Sequence, residues 1–153
     1  MLYFEDMEVG AGQTFGDYRV TREEVVEFAQ KYDPQGFHLS DEAAALTHFG
    51  RLAASGWHTC AITMRMLVDD IEARGGQKGL GSPGVDELRW LKPVYPGDTL
   101  SVTTEIIEKT PSRSKPEMGS FRMRVTVSNQ HGEPVLRFTS IVLIQRRPGA
   151  SPP

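Results

Sequence analysis

Apolar positions recur at helical spacing in three stretches of the first half of the chain. Val25, Val26, Phe28 and Ala29 follow Thr21, a good N-cap residue whose capping-box partner would be Glu24, which predicts a helix to about Lys31. Pro34 disfavours helical geometry at Asp33, and Gly36 loosens the chain again. Ser40-Asp41-Glu42 opens a short second helix that holds Ala43, Ala44, Ala45 and Leu46 and ends at Gly50. Ser55 stands where a cap for the longest helix belongs, from about Gly56 to Ala73, with Gly75-Gly76 as its stop. Apolar residues such as Trp57, Ile62, Met64, Leu67 and Val68 nearly encircle this helix, which predicts that something wraps it.

The second half changes period. Phe121, Met123, Val125 and Val127 alternate with polar neighbours, the spacing of a strand. Extended runs are expected near 85–92, 99–109, 120–129 and 134–146, with turns at Pro96-Gly97-Asp98 and His131-Gly132-Glu133. The last run is apolar on both faces, with Leu136, Phe138, Val142 and Ile144 on one and Ile141 and Leu143 on the other, so it reads as a central strand. Residues 1–20 read as an extended lead-in that contributes one more strand, and residues 77–84 as a Gly/Pro loop. One buried helix followed by antiparallel strands is an α+β layout. A single domain over residues 1–146 and a disordered tail over 147–153 are expected.

Composition narrows the function classes. A net charge of −3 argues against a general nucleic-acid footprint, so no nucleic-acid partner is expected. No apolar run approaches the roughly 18 residues of a membrane span, and Met1-Leu2-Tyr3-Phe4 lacks the basic-then-apolar order of a signal peptide. Cys60 is the only cysteine, which excludes an internal disulfide and suits a reducing cytoplasm.

Two nearby segments carry candidate chemistry. Tyr32-Asp33-Pro34-Gln35-Gly36-Phe37-His38 sets a carboxylate and an imidazole five residues apart in a broken stretch between helices, and Ala53-Ala54-Ser55-Gly56-Trp57-His58-Thr59 opens the long helix. Gly56 falls in the first turn, where backbone N–H groups have no helical partner and the helix dipole adds positive potential. A residue without a side chain lets an anionic oxygen come close. An alanine at this position is expected to hold or raise stability, since Ala suits a helix better by roughly 1 kcal/mol. His48 and His58 read as structural or solvent-facing, Cys60 as a small buried apolar residue, and His38, His48, His58 and Cys60 match no common zinc spacing. Gly79, Gly81 and Gly84 have the Gly-x-Gly-x-x-Gly spacing, but they follow a helix and precede a strand, the reverse of a dinucleotide site.

The residues Asp33, Gln35, Phe37 and His38, the Ser55-Gly56 pair whose glycine lies eighteen residues past His38, and the run Leu88-Arg89-Trp90-Leu91-Lys92-Pro93-Val94 before Tyr95-Pro96-Gly97-Asp98 together resemble the MaoC-like dehydratases, the family of (R)-specific enoyl-CoA hydratases. Gly36 stands where that family often has Pro, and Gln35 where many members have Asn. The resemblance covers roughly residues 5–146. It implies a hot-dog fold, in which about five antiparallel strands wrap one long central helix and a short helical overhang carries the active-site motif. It implies Asp33 and His38 as the acid–base pair with Gly56 as the oxyanion donor, and Gln35, Phe37, Ser55 and Trp57 as substrate-binding neighbours. The implied reaction is reversible hydration of a 2-enoyl thioester of coenzyme A or acyl carrier protein, by a homodimer, without metal or cofactor. A hot-dog thioesterase and a non-catalytic acyl-binding subunit are the alternatives.

Overall fold

The computed structural model describes residues 1–151. Three helices and five strands follow in order. They are β1 (Gly12–Arg19), α1 (Arg22–Tyr32), α2 (Asp41–Ala45), α3 (Gly56–Ala73), β2 (Gly79–Trp90), β3 (Thr99–Pro111), β4 (Met118–Ser128) and β5 (Pro134–Gln145), with single 3₁₀ turns at Phe4–Asp6 and Gly36–His38. The strands form one sheet in the order β1-β3-β4-β5-β2, and every pair is antiparallel. The sheet packs around α3, the hot-dog arrangement, and β5 lies between β4 and β2, as its two apolar faces require. Among the described residues, no helix is long and apolar enough to cross a membrane.

Local signals set the helix ends. Thr21 Oγ1 accepts the Glu24 N–H at 3.3 Å, as a cap should. Glu24 does not return the capping-box bond; its carboxylate accepts the Tyr18 hydroxyl from β1 instead, so α1 is pinned to the sheet rather than to its own first turn. Ser40 Oγ caps α2 through Ala43 N at 3.2 Å. This helix stops at Ala45, short of the expected Gly50, because Thr47 Oγ1 donates to the Ala44 carbonyl and accepts the Phe49 N–H, closing the turn. Leu46, expected inside α2, is 90% exposed at its end. At the far end of α3, Gly75 and Gly76 adopt φ of 89° and 87° and return their N–H groups to Glu72 and Ile71 carbonyls.

Residues 77–84 are not a loop. From Gly79 they belong to β2, which pairs with β5 through register shifts at Gly79/Gly81 and Gly81/Gly84. An edge strand tolerates this glycine-rich run and Pro83, because one side of its backbone needs no partner. The β3–β4 connection is correspondingly shorter than the sequence implied, since β3 runs to Pro111 and β4 starts at Met118.

The main core joins Ile62, Met66 and Leu67 of α3 to Leu100 and Val102 of β3, Val125 and Val127 of β4, and Leu136 and Phe138 of β5. A second cluster forms where Phe4 and Met7 meet Phe121 and Ile144, with Gly119 beneath the Phe4 ring. The encirclement of α3 is incomplete. Trp57 and Met64 are 59% and 57% exposed, and Val68 is also open, because one sheet covers only one side of the helix. Arg147, at the start of the expected tail, bonds Glu5 through its N–H and Asp6 through its guanidinium. Pro152 and Pro153 of that tail lie outside the described residues.

Candidate active site

Asp33 is the C-cap of α1, and its N–H bonds the Ala29 carbonyl at 2.9 Å. The 3₁₀ turn Gly36–His38 then folds the chain back so that His38 meets the segment leading into α3. That meeting is a two-way tie: Ala53 N–H donates to the Phe37 carbonyl at 3.1 Å, and His38 Nδ1 lies 2.7 Å from the Ala53 carbonyl oxygen. A carbonyl only accepts, so Nδ1 carries the hydrogen, and in the neutral ring Nε2 presents its lone pair. Nε2 points at Asp33 Oδ2, 3.4 Å away. The ring is buried, with Phe37 edge-on at 4.6 Å.

Asp33 accepts two further hydrogen bonds, from Gln35 Nε2 at 2.6 Å and Ser55 Oγ at 2.7 Å. Burial by itself would raise its pKa. The bonds from Gln35 and Ser55, with the positive charge that His38 carries when protonated, outweigh that and hold the carboxyl below its ordinary value. Ser55 occupies the N-cap position of α3 but makes no side-chain cap bond. Its hydroxyl is given to Asp33, which links the end of α1 to the start of α3.

Asp33, His38 and Gly56 open together on one cleft of about 390 Å³, which Trp57, Thr59 and Trp90 also line. The three residues expected to be catalytic are therefore brought together. Trp57 also lines the cavity, whereas Gln35, Phe37 and Ser55 stand behind it and hold Asp33 and His38 in place. Sequence reasoning missed Trp90, Phe49, Thr59 and Val94. The Leu88–Val94 run was singled out as a strand, but nothing in its spacing told that its end returns to the start of α3. There the Trp90 indole lies over Gly56: a Cβ built on Gly56 would be 2.5 Å from ring atoms. Trp57 stands edge-on to Trp90 at 5.0 Å. Cys60 is half-buried, and burial pushes its thiol up.

The remaining histidines separate. His48 is exposed at the cavity wall. His58 is buried behind the site, stacked on Phe28 at 4.8 Å, with Nδ1 unpartnered among the described residues, and burial lowers its pKa. A cleft of about 350 Å³ on that side holds Tyr18, Glu24 and Arg65.

A half-buried carboxylate and a tautomer-fixed imidazole facing each other at 3.4 Å, next to an unpaired helix N-terminus, can act as a proton-transfer site with an anion-binding corner. The chain belongs to the family described as "MaoC like domain", which matches residues 7–129. It is 30% identical to the uncharacterized protein YdeM of Bacillus subtilis over 141 residues, covering 91% of this chain and 97% of that one. A 3-hydroxybutyryl-CoA dehydratase from Methylorubrum extorquens is 32% identical over 117 residues, 75% of this chain and 70% of the other. The crystal structure of a MaoC-like dehydratase from Rhodospirillum rubrum superposes with a TM-score of 0.86 at 42% identity, over 97% of this chain and 99% of that chain.

Proposed function

We propose that this protein is a hydro-lyase that reversibly hydrates a 2-enoyl thioester to the (R)-3-hydroxyacyl thioester. The observation that carries the reading is the convergence of two acceptors, Asp33 Oδ2 and His38 Nε2, on the cavity that also exposes Gly56. A water there donates one hydrogen to each. As its oxygen bonds the β-carbon, its O–H breaks and the proton passes to the Asp33/His38 pair. The electron pair of the double bond moves onto the thioester oxygen, where the Gly56 N–H stabilises it. The pair then protonates the α-carbon, so water is added and both groups are regenerated.

The acyl group is carried by coenzyme A in this reading, which the activity named for the Methylorubrum relative supports. One domain, residues 1–146, carries every group used. The protein works as a homodimer in a reducing, cytoplasmic setting. Edge strand β2 and the exposed Trp57, Met64, Leu80 and Val85 favour pairing with a second copy, because bare apolar edges are rare in native proteins.

The test is a screen of crotonyl-CoA and longer 2-enoyl-CoAs, with chiral analysis of product and light scattering of the enzyme. Loss of enoyl absorbance with an (R)-3-hydroxyacyl product is expected. Release of free thiol instead would replace the hydratase with a thioesterase, and a monomer at micromolar concentration would remove the dimer.

A further inference from the structure

We propose that the Thr59 hydroxyl is a second donor to the substrate's thioester oxygen, acting beside the Gly56 N–H; this rests on the hydratase reading above. Thr59 is 2% exposed, yet it lines the cavity of Asp33 and His38. A threonine inside a helix commonly turns its hydroxyl back to the carbonyl one turn earlier. Thr63 does so, donating to the Thr59 carbonyl at 2.7 Å. Thr59 does not: the Ser55 carbonyl receives its backbone N–H at 3.1 Å, and its hydroxyl is left over. Among the described residues, His58 Nδ1 is the one fully enclosed side-chain polar atom without a partner, so the Thr59 hydroxyl is not sealed in but faces the cavity.

Helix geometry aims that hydroxyl. Residue 59 lies three positions beyond Gly56, on the same face, and helical side chains lean toward the N-terminus. Thr59 therefore leans toward the turn of Gly56, where the Trp90 ring already fills the space a side chain on Gly56 would take. A carbonyl oxygen has two lone pairs, and the Gly56 N–H engages one. As negative charge develops on that oxygen, a hydroxyl on the second lone pair stabilises it further without adding charge to the resting site.

The experiment uses the full chain, with Thr59→Val to remove the hydroxyl and Thr59→Ser to keep it. Each variant is measured for kcat and KM on crotonyl-CoA, for melting temperature, and for the infrared carbonyl band of bound butyryl-CoA labelled with ¹³C at the thioester carbon. The expected result is a fall in kcat of about a hundredfold for Thr59→Val with KM and melting temperature nearly unchanged, the scale of losing one oxyanion donor. Thr59→Ser should recover most of that loss. In the native protein the carbonyl band should lie below its position in free butyryl-CoA, and in Thr59→Val it should move back toward it. An unshifted band with native kcat in Thr59→Val overturns the proposal. So does an equal loss in both variants that follows melting temperature. Should the native protein turn over no enoyl-CoA, the hydratase reading fails while the band shift still decides whether Thr59 bonds a thioester. Failure of butyryl-CoA to bind overturns both.

Discussion

Ser55 donates its hydroxyl to Asp33 Oδ2 at 2.7 Å across 22 positions of chain, although it sits where a helix cap belongs. Replacing it should therefore disturb the carboxylate more than the helix. In Ser55→Ala, Asp33 loses one of the bonds that hold its pKa down, and that pKa rises. The proposed reaction uses Asp33 as a carboxylate, so the acid limb of kcat against pH should move to higher pH, with activity at neutral pH reduced less than at pH 4–5. The same depressed pKa means that the Asp33 bonds stabilise the fold above its ordinary pKa of about 3.9 and lose that effect as pH falls through the folded value. A pH–rate profile that matches the native one would show that the bond does not tune Asp33.

His38 offers a cleaner dissection than truncation. Its Nδ1–H satisfies the buried Ala53 carbonyl, and its Nε2 faces Asp33. Asn places an amide N–H near the Nδ1 position and nothing at Nε2. His38→Asn should fold normally and lose at least about a hundredfold in rate, the scale of a general acid or base. His38→Ala should lose the rate and also about 1–3 kcal/mol of stability, since the carbonyl is left without a partner. Asp33→Asn should match His38→Asn in rate. Near-native turnover in either Asn variant refutes the assignment, and denaturant melts of all three separate folding from chemistry.

Gly56 does not behave as helix propensity suggests. The gain of roughly 1 kcal/mol for Ala over Gly in a helix assumes room for a methyl. Here that methyl would fall 2.5 Å from the Trp90 ring. Gly56→Ala should lower the melting temperature and force the indole out of place. Adding Trp90→Ala to Gly56→Ala should recover part of that loss, so the two changes couple in a double-mutant cycle. Additive melting temperatures would mean that the ring moves aside freely.

His58 should make stability depend on pH. Burial keeps it neutral in the fold and depresses its pKa, whereas the unfolded chain takes up the proton at about pH 6.5. Between those two values the unfolded state binds more protons, so stability rises with pH through this window and falls as pH drops below about 6.5. The nearby charges are Glu24, which opposes the shift, with Arg65, Glu27 and Lys31 lining the same cleft. His58→Phe should keep the stack on Phe28 and flatten that part of the curve. Urea melts from pH 5 to 7.5 compare the two slopes, and equal slopes would exclude His58 as their source.

Much of this molecule is legible in the chain because the governing interactions are local. The end of α3 follows from the Gly75-Gly76 pair, and the caps at Thr21 and Ser40 act within three residues. Asp33 and His38 are close in sequence, so a single broken turn suffices to bring them together. Alternation in β4 reports a sheet with a buried face, and the two apolar faces of β5 report a strand with neighbours on both sides. What lay beyond reach depends on register and on which surfaces meet. The glycines of residues 79–84 join a strand only because β5 offers them a partner and the outer side needs none. Whether Ser55 caps a helix or holds Asp33 is decided by where α1 ends in space, not by its own residue type. Trp90 reaches Gly56 because edge strand β2 ends beside the start of α3, a contact 34 residues apart that spacing along the chain does not encode. Local hydrogen bonds and side-chain period are properties of neighbours in sequence. The direction in which a serine, a glycine or a tryptophan is used is a property of the packed layers.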